Sequence, residues 1–388
     1  MYDHDYDLTD EQIMFRDTIR RFMKNEIIPV ERELDPDAIE FPPEEVARLQ
    51  EKTKAMGMFN PGLSSEYGGG GLDFFSRLIM SEETVKHRQG LYNPAGGAFG
   101  TGVNPLLFAG TEEQKEKYLL PSARGEKRSS FAITEVSGGS DPARAIQTRA
   151  VKTEGGWVLN GTKFWITGAG ISDFVIVFVR TDDKPIGTRG EISIFIVDVG
   201  TPGFTVGNRI PVIRPNWPYE LIFEDCFLPD SQLLGEVGGG FQLMGSFLTG
   251  GRITYAVACV GIAQEALEMA IEYSKIRETF GKFLSERQGI QWMLADSACE
   301  LHASRLVVYH AAGVRERNLP FQVESSMAKV MASEMATRVV DRSIQIHGGM
   351  GLSKELPLER WYREMRTRRI GEGPSEVMRH VIARNLFY

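Results

Sequence analysis

Cysteine is scarce in this 388-residue chain, with three in all, and Cys226, Cys259 and Cys299 are widely spaced without a CxxC pair. That pattern suggests neither a disulfide frame nor a metal site, and a reducing cytoplasm suits it. Excess positive charge is missing too. With 44 basic against 52 acidic residues the formal net charge is -8, which favours solubility and disfavours a generic binder of nucleic-acid backbones. No uncharged apolar run reaches membrane-spanning length, and the start, Met1-Tyr2-Asp3-His4-Asp5, is acidic where a secretory or transit leader would be basic. Neither export nor membrane insertion is expected. Repeats and low-complexity segments are absent, which leaves a globular chain long enough for two or three domains.

What is present divides the chain by periodicity. Thr9-Asp10-Glu11-Gln12 is a capping box, with Leu8 placed to staple onto Ile13. A second helix opens at Pro42-Pro43 and stops near Gly57, a third follows the glycine-rich loop Tyr67 to Gly71, and Thr111-Glu112-Glu113-Gln114 caps another. Residues 1–125 therefore read as an α-helical domain. Residues 126–235 change to short runs rich in Val, Ile, Phe and Thr: 157–159, 163–166, 174–179, 192–197 and 219–223. Asn160-Gly161 has the form of a two-residue hairpin turn, and Thr201-Pro202-Gly203 of a further turn, so a central antiparallel β domain is expected. Beyond Gly238-Gly239-Gly240, residues 236–388 return to long helices, roughly 241–275, 287–316 and 322–347, as in a four-helix-type bundle. Pro374 suits the first turn of a last helix. The expected class is α+β and multi-domain.

Four segments carry candidate chemistry. Phe131-Ala132-Ile133-Thr134-Glu135-Val136-Ser137-Gly138-Gly139-Ser140-Asp141 places a Gly-Gly-Ser turn after a strand, where exposed N–H groups suit a pyrophosphate or flavin ring. Trp157 to Gly168 reads WVLNGTKFWITG. Arg277-Glu278-Thr279-Phe280-Gly281-Lys282 is followed by Gln288, and Gln345-Ile346-His347-Gly348-Gly349-Met350-Gly351 leads, through Glu359 to Glu364, to Glu372-Gly373-Pro374-Ser375-Glu376. In order and spacing the four resemble the signatures of the acyl-CoA dehydrogenase family over nearly the whole chain. Val136, where the family loop has proline, is a departure.

The resemblance implies an FAD enzyme that turns an acyl-CoA into a 2-enoyl-CoA, a base taking the α-proton while the β-hydrogen leaves as hydride to flavin N5. It assigns Phe131, Ile133, Thr134, Ser140, Trp165, Thr167, Ser375 and Glu376 to the cofactor. Arg277, Thr279, Phe280, Gln288, Gln345, Gly348 and Gly349 would reach FAD bound mainly by a neighbouring subunit, which implies a homo-oligomer, most readily a tetramer. Glu372 corresponds to the base, and Ser140, Thr249, Arg252, Gly371 and Gly373 to the substrate side. Some relatives carry the base immediately before the arginine aligned with Arg252, and that position is Gly251 here. Electron transfer flavoprotein is the implied electron acceptor.

Physical chemistry alone reads the same residues more plainly. Glu372, ahead of the last helix, is a common N-terminal helix acid whose ionised form the helix end favours. His347 is more readily a packed histidine than a catalyst, and Arg252 is as readily half of a salt bridge as an organiser of the loop. Gly371 stands where many straight-chain relatives have tyrosine and Pro374 where threonine is frequent, so space for a branched, cyclic or bulky acyl group is expected. Thr249 replaces an aspartate that contacts pantetheine, and Tyr92 stands where glutaryl-specific relatives keep arginine, with Arg88 nearby. A relative acting as enoyl-CoA reductase, desulfinase or oxidase, and a non-catalytic CoA-binding module, remain as alternatives.

Overall fold

The computed structural model describes residues 8–100 and 102–387, so the acidic start Met1–Asp5 lies outside the described residues. Helix α1 (Asp10–Phe22) opens on the expected capping box: Thr9 Oγ1 accepts from the Gln12 N–H at 3.3 Å and Gln12 Oε1 from the Thr9 N–H at 3.0 Å. A π-helical turn, Met23–Ile27, leads into α2 (Ile28–Arg32); α3 (Pro43–Ala55) and α4 (Phe74–Thr84, capped by Asp73) follow. The second capping box starts α5 (Glu112–Gln114), which continues through another π turn into α6 (Leu120–Ala123).

The central strands are β1 (Ser129–Ala132), β2 (Arg149–Thr153), β3 (Gly156–Ile166), β4 (Phe174–Arg180), β5 (Ile192–Asp198), β6 (Phe204–Arg209), β7 (Tyr219–Pro229) and β8 (Leu233–Leu234), with the one-turn α7 (Pro142–Ala145) after β1. They form one sheet in the order β6-β7-β3-β2-β4-β5-β8, with β1 beside β4. The expected antiparallel sheet is in fact mixed, because β1 runs parallel to β4 and β2 meets β4 in a single parallel pair, Arg149 with Arg180. Every residue of β4 is buried. Its alternate side chains enter two different cores, Val175, Val177 and Val179 on one face and Phe174, Ile176 and Phe178 on the other. Burial on both faces explains why this strand reads as an unbroken apolar run.

Asn160-Gly161 makes no hairpin. Strand β3 runs straight through it, and the β2–β3 turn falls earlier, where Thr153 pairs with Gly156. Gly161 instead marks a register shift against β7, at φ 141°, as an isolated glycine within a strand does at a bulge.

The remaining elements are α8 (Gly240–Ile276), the short hairpin β9 (Glu278–Thr279) and β10 (Lys282–Phe283), α9 (Gln288–Glu316), α10 (Gln322–His347), α11 (Leu358–Arg368) and α12 (Ser375–Phe387). Helix α11 is the element that sequence periodicity did not announce. Two compact units result: residues 63–71 and 100–248 hold the sheet, whereas 1–62, 72–99 and 249–388 form a helical unit that draws on both ends of the chain. By length and composition α8 could cross a membrane, but Ile253, Val257, Val260 and Ile262 are buried in the helical core with Val308, Ala332 and Trp361. Helices α4 and α8 approach so closely that a Cβ at Gly261 would lie 2.3 Å from the Glu82 carbonyl oxygen. Glu82, buried at that contact, accepts from Arg305 at 2.7 Å and from the Tyr309 hydroxyl at 2.9 Å, which satisfies a carboxylate that would be costly alone.

A Cβ at residue 161 would come within 2.6 Å of the Thr148 Cα. Backbone cannot yield as a flexible side-chain tip does, so Gly161→Ala is expected to destabilise the sheet by about 2 kcal/mol, measured as a lowered urea midpoint.

Candidate active site

Glu372 sits in the tight connection between α11 and α12. The Ile370 and Gly371 N–H groups both donate to the Thr367 carbonyl at 3.0 Å, ending α11, and the Met378 N–H donates to the Pro374 carbonyl at 3.0 Å, beginning α12. Pro374 is thus the residue before the helix rather than in its first turn. Between them the chain turns left-handed, with φ 58° at Glu372 and 100° at Gly373. Such a conformation in a non-glycine residue costs on the order of 1 kcal/mol or more, and it persists only where its surroundings enforce it.

Two cations supply that enforcement. Arg252 Nε, on α8, donates to the Glu372 carbonyl at 3.2 Å, and Lys329 Nζ, on α10, donates to the Gly373 carbonyl at 2.7 Å. Among the described residues Arg252 ties back this carbonyl and makes no salt bridge. A third cation, Arg368, lies 4.0 Å from the Tyr255 ring centroid and 5.0 Å from that of Tyr92, and donates to the Leu91 carbonyl. Among the described residues neither the Glu372 carboxylate nor its N–H has a hydrogen-bond partner.

Burial pushes the Glu372 carboxyl above the usual carboxylate range, against the pull of Arg368, Arg252 and Lys329. This corrects the expectation that the helix end would favour the ionised form, since desolvation by the surrounding helices is the larger effect. A carboxylate so placed, with no hydrogen bond to break, can accept a proton from a weak carbon acid.

Gly371 does not leave open space. The Tyr255 hydroxyl lies 2.9 Å from where a Cβ would stand, and the Tyr92 hydroxyl meets Thr367 Oγ1 at 2.6 Å nearby. By contrast a Cβ at Gly251, the alternative base position, would meet nothing within 4 Å.

The other expected residues fall into two further groups. In the sheet unit, the Phe164 N–H donates to the Thr134 carbonyl at 2.8 Å, bringing the loop that ends at Ser140 to the end of β3. Phe131 and Ile133 pack into the core on one side of the sheet, and Ser140 is exposed. Trp165 turns left-handed at φ 66° and leaves its indole 50% exposed; Thr167 Oγ1 accepts from Arg214 at 3.0 Å. An indole held outward against backbone preference, above a glycine loop in which a Cβ at Gly139 would lie 3.0 Å from Thr134 Cγ2, fits a planar ring with a phosphate tail. The third group lies at the far end of α8. Arg277, Phe280, Gln288, Gln345, Gly348 and Gly349 are exposed there, Thr279 is half-buried, and His347 stacks on Tyr273 with centroids 4.5 Å apart. His347 Nδ1 is 2.8 Å from the Ser343 carbonyl and burial lowers the ring's pKa, a packed histidine with no catalytic neighbour. Arg252, near the start of α8, and Arg277, just past its end, are roughly 35–40 Å apart at 1.5 Å per residue. Ser375 is buried and Glu376 exposed on the first turn of α12.

Sequence reasoning missed three participants. Lys329 is a cation flanked by Ala328 and Val330, and Tyr255 a ring flanked by Thr254 and Ala256. Lys163, mid-strand in β3, donates to Glu135 at 2.8 Å and to the Ile133 carbonyl at 3.1 Å, while Glu135 also accepts from the Gln147 and Thr148 N–H groups at 2.7 and 2.9 Å. Burial opposes ionisation of Glu135, but Lys163 and those donors outweigh it and hold the carboxyl below its usual range. In each case a charge or hydroxyl amid apolar neighbours was the available signal.

Because folded Glu372 keeps its proton to higher pH than the unfolded chain, the native state binds more protons over that interval, and stability from this group declines as pH rises through it. Glu372→Gln should match wild type near about pH 4 and gain on it towards about pH 8, as read from urea midpoints. A difference that stays flat with pH would contradict a half-buried, unpaired carboxyl.

Similarity to known proteins extends over nearly the whole chain. The N-terminal, middle and C-terminal domains of acyl-CoA dehydrogenases match residues 9–126, 130–226 and 238–387. The chain is 39% identical to the probable acyl-CoA dehydrogenase YngJ of Bacillus subtilis over 98% of this chain and 99% of that one. It is 37% identical to the short-chain specific acyl-CoA dehydrogenase of Clostridium acetobutylicum, over 99% and 100%. The structure of butyryl-CoA dehydrogenase from Megasphaera elsdenii superposes with a TM-score of 0.83 at 36% identity, covering 98% of this chain and 99% of that one. From matches that span every domain it follows that the chain belongs to the acyl-CoA dehydrogenase family.

Proposed function

We propose that this protein oxidises an acyl-CoA thioester to the 2-enoyl-CoA with FAD, using Glu372 as base. The observation that carries this is the 371–373 turn, which holds a half-buried carboxylate and an N–H side by side with neither hydrogen-bonded among the described residues. Glu372 takes the α-proton. Its own N–H is free to donate to the thioester oxygen as enolate character develops, a bond that strengthens towards the transition state. The two carbonyls that follow that N–H, those of residues 372 and 373, are tied back by Arg252 and Lys329, which restrains the turn before substrate arrives. Bound FAD supplies the acceptor for the β-hydrogen as hydride. Phe131, Ile133, Thr134, Ser140, Trp165 and Thr167 would hold it, and the family resemblance assigns Ser375 and Glu376 to it as well.

Arg277, Thr279, Phe280, Gln288, Gln345, Gly348 and Gly349 serve the cofactor of a second copy, since the length of α8 keeps Arg277 far from the same chain's Glu372 turn. Exposed Phe280 (99%), Ile276 (75%) and Trp292 (61%) support an assembly that covers them, with a homotetramer as its form. Electron transfer flavoprotein is the acceptor that fits this family reaction, and the free thiols suit the cytoplasm.

For the acyl group, the expectation of a bulky substrate rested on space beside Gly371. Tyr255 fills that space, and the relatives named for short-chain and butyryl substrates point the same way. We favour a short acyl chain, and the family resemblance assigns Thr249 and Gly373 to the substrate side.

Anaerobic titration of the yellow protein with short, long, branched and cyclic acyl-CoAs is expected to bleach the flavin band most readily with short chains. No bleaching by any thioester would defeat the reaction, and a preference for branched or cyclic groups would restore the earlier reading of Gly371. Glu372→Gln should retain FAD and lose about 10³-fold or more in reduction rate. Phe280→Asp is expected to lower the mass seen by light scattering and to release FAD together; loss of neither would separate this segment from assembly.

A further inference from the structure

Lys329 is a buried lysine on a helix face of small residues, Ser325, Ser326, Ala328, Ala332 and Ser333. An ammonium taken out of water is costly unless something answers its charge, yet its hydrogen-bond partner is a single neutral carbonyl, that of Gly373. The charged and titratable groups around it come from three directions: Arg252, Tyr255 and Cys259 on α8, Arg368 on α11, and Glu372 in the turn. Glu372 is the one carboxylate of that set. Building on the reaction proposed above, we propose that Lys329 is a positioning residue for Glu372, clamping the left-handed turn through the Gly373 carbonyl while its positive charge supports the ionised base.

The geometry separates two jobs. Arg252 holds the carbonyl of residue 372 and Lys329 that of residue 373, so the turn is gripped from two helices at consecutive peptides. Arg252 and Arg368 are guanidinium groups that keep their charge throughout the working range. Lys329 is different, for burial brings its ammonium down to about 8, so it is the one cation of the three whose charge can change under ordinary conditions. Without that charge, burial of Glu372 is opposed by the two arginines alone.

The test uses full-length, FAD-loaded protein and two variants. Lys329→Gln keeps a donor for the Gly373 carbonyl but removes the charge; Lys329→Arg keeps the charge. Glu372 is titrated directly by infrared difference spectroscopy, following the protonated carboxyl band that Glu372→Gln lacks. The carboxyl in Lys329→Gln is expected to titrate about one pH unit higher than wild type, with the acidic limb of the reduction rate moving equally, while Lys329→Arg stays near wild type. A purely structural lysine would lower thermal stability in both variants and leave the infrared titration where it was, which would overturn the proposal. Because that titration needs no substrate, a wild type that no acyl-CoA reduces would defeat the reaction and leave the Lys329–Glu372 coupling standing. An unmoved titration in an active enzyme would do the reverse.

Discussion

Around Glu372, desolvation and cation charge oppose each other, and much of the helical unit is arranged to hold them in balance. The carboxylate lacks the hydrogen bonds that normally accompany burial, so its surroundings must do the work through field and geometry. Arg368 cannot drift, because it lies between two tyrosine rings and is tied to the Leu91 carbonyl. The loop bearing Leu91 and Tyr92 is itself anchored. Glu31 accepts from His87 Nδ1 at 2.7 Å and from the Arg88 and Gln89 N–H groups at 2.9 Å each, and Trp361 Nε1 donates to the His87 carbonyl at 3.2 Å. An acid in the first sixth of the sequence thereby helps to fix a cation beside the Glu372 carboxyl.

The sheet unit solves a comparable problem with the opposite outcome. Glu135 is buried and fully engaged by Lys163 and two amide donors, so it serves as a structural anion that shapes the glycine loop. One buried carboxylate is saturated and held ionised; the other is left unpaired and raised. The difference between the two carboxyls lies in the number of donors supplied.

Much of this was legible in the sequence where the signal is local. Both capping boxes, the long helices and the four motif segments rest on short-range spacing that the fold cannot easily override. The failures came where tertiary contact decides. Asn160-Gly161 carries turn chemistry, but pairing with both β2 and β7 keeps the strand going and converts the glycine to a bulge. The parallel pairing of β1 with β4 joins segments distant in sequence, which no local pattern reports. Gly371 looked like vacant volume because a missing side chain is visible in sequence, whereas the ring that fills it, Tyr255, lies on another helix. Lys329 and Arg252 gave no local sign of their shared target for the same reason.

The division of the chain has a consequence for how the molecule is made. Residues 1–62 and 72–99 pack with residues 249–388, and the intervening sheet unit closes on itself. On the ribosome the early helices α1 to α4 emerge long before α8 to α12, leaving Glu82 and the His87 carbonyl without Arg305 and Trp361 while the sheet completes its own core. The helical unit cannot close until its segment beyond residue 249 is synthesised, the turn bearing Glu372 included. A chain cut within the helical unit would therefore carry a finished sheet and an unfinished set of helices.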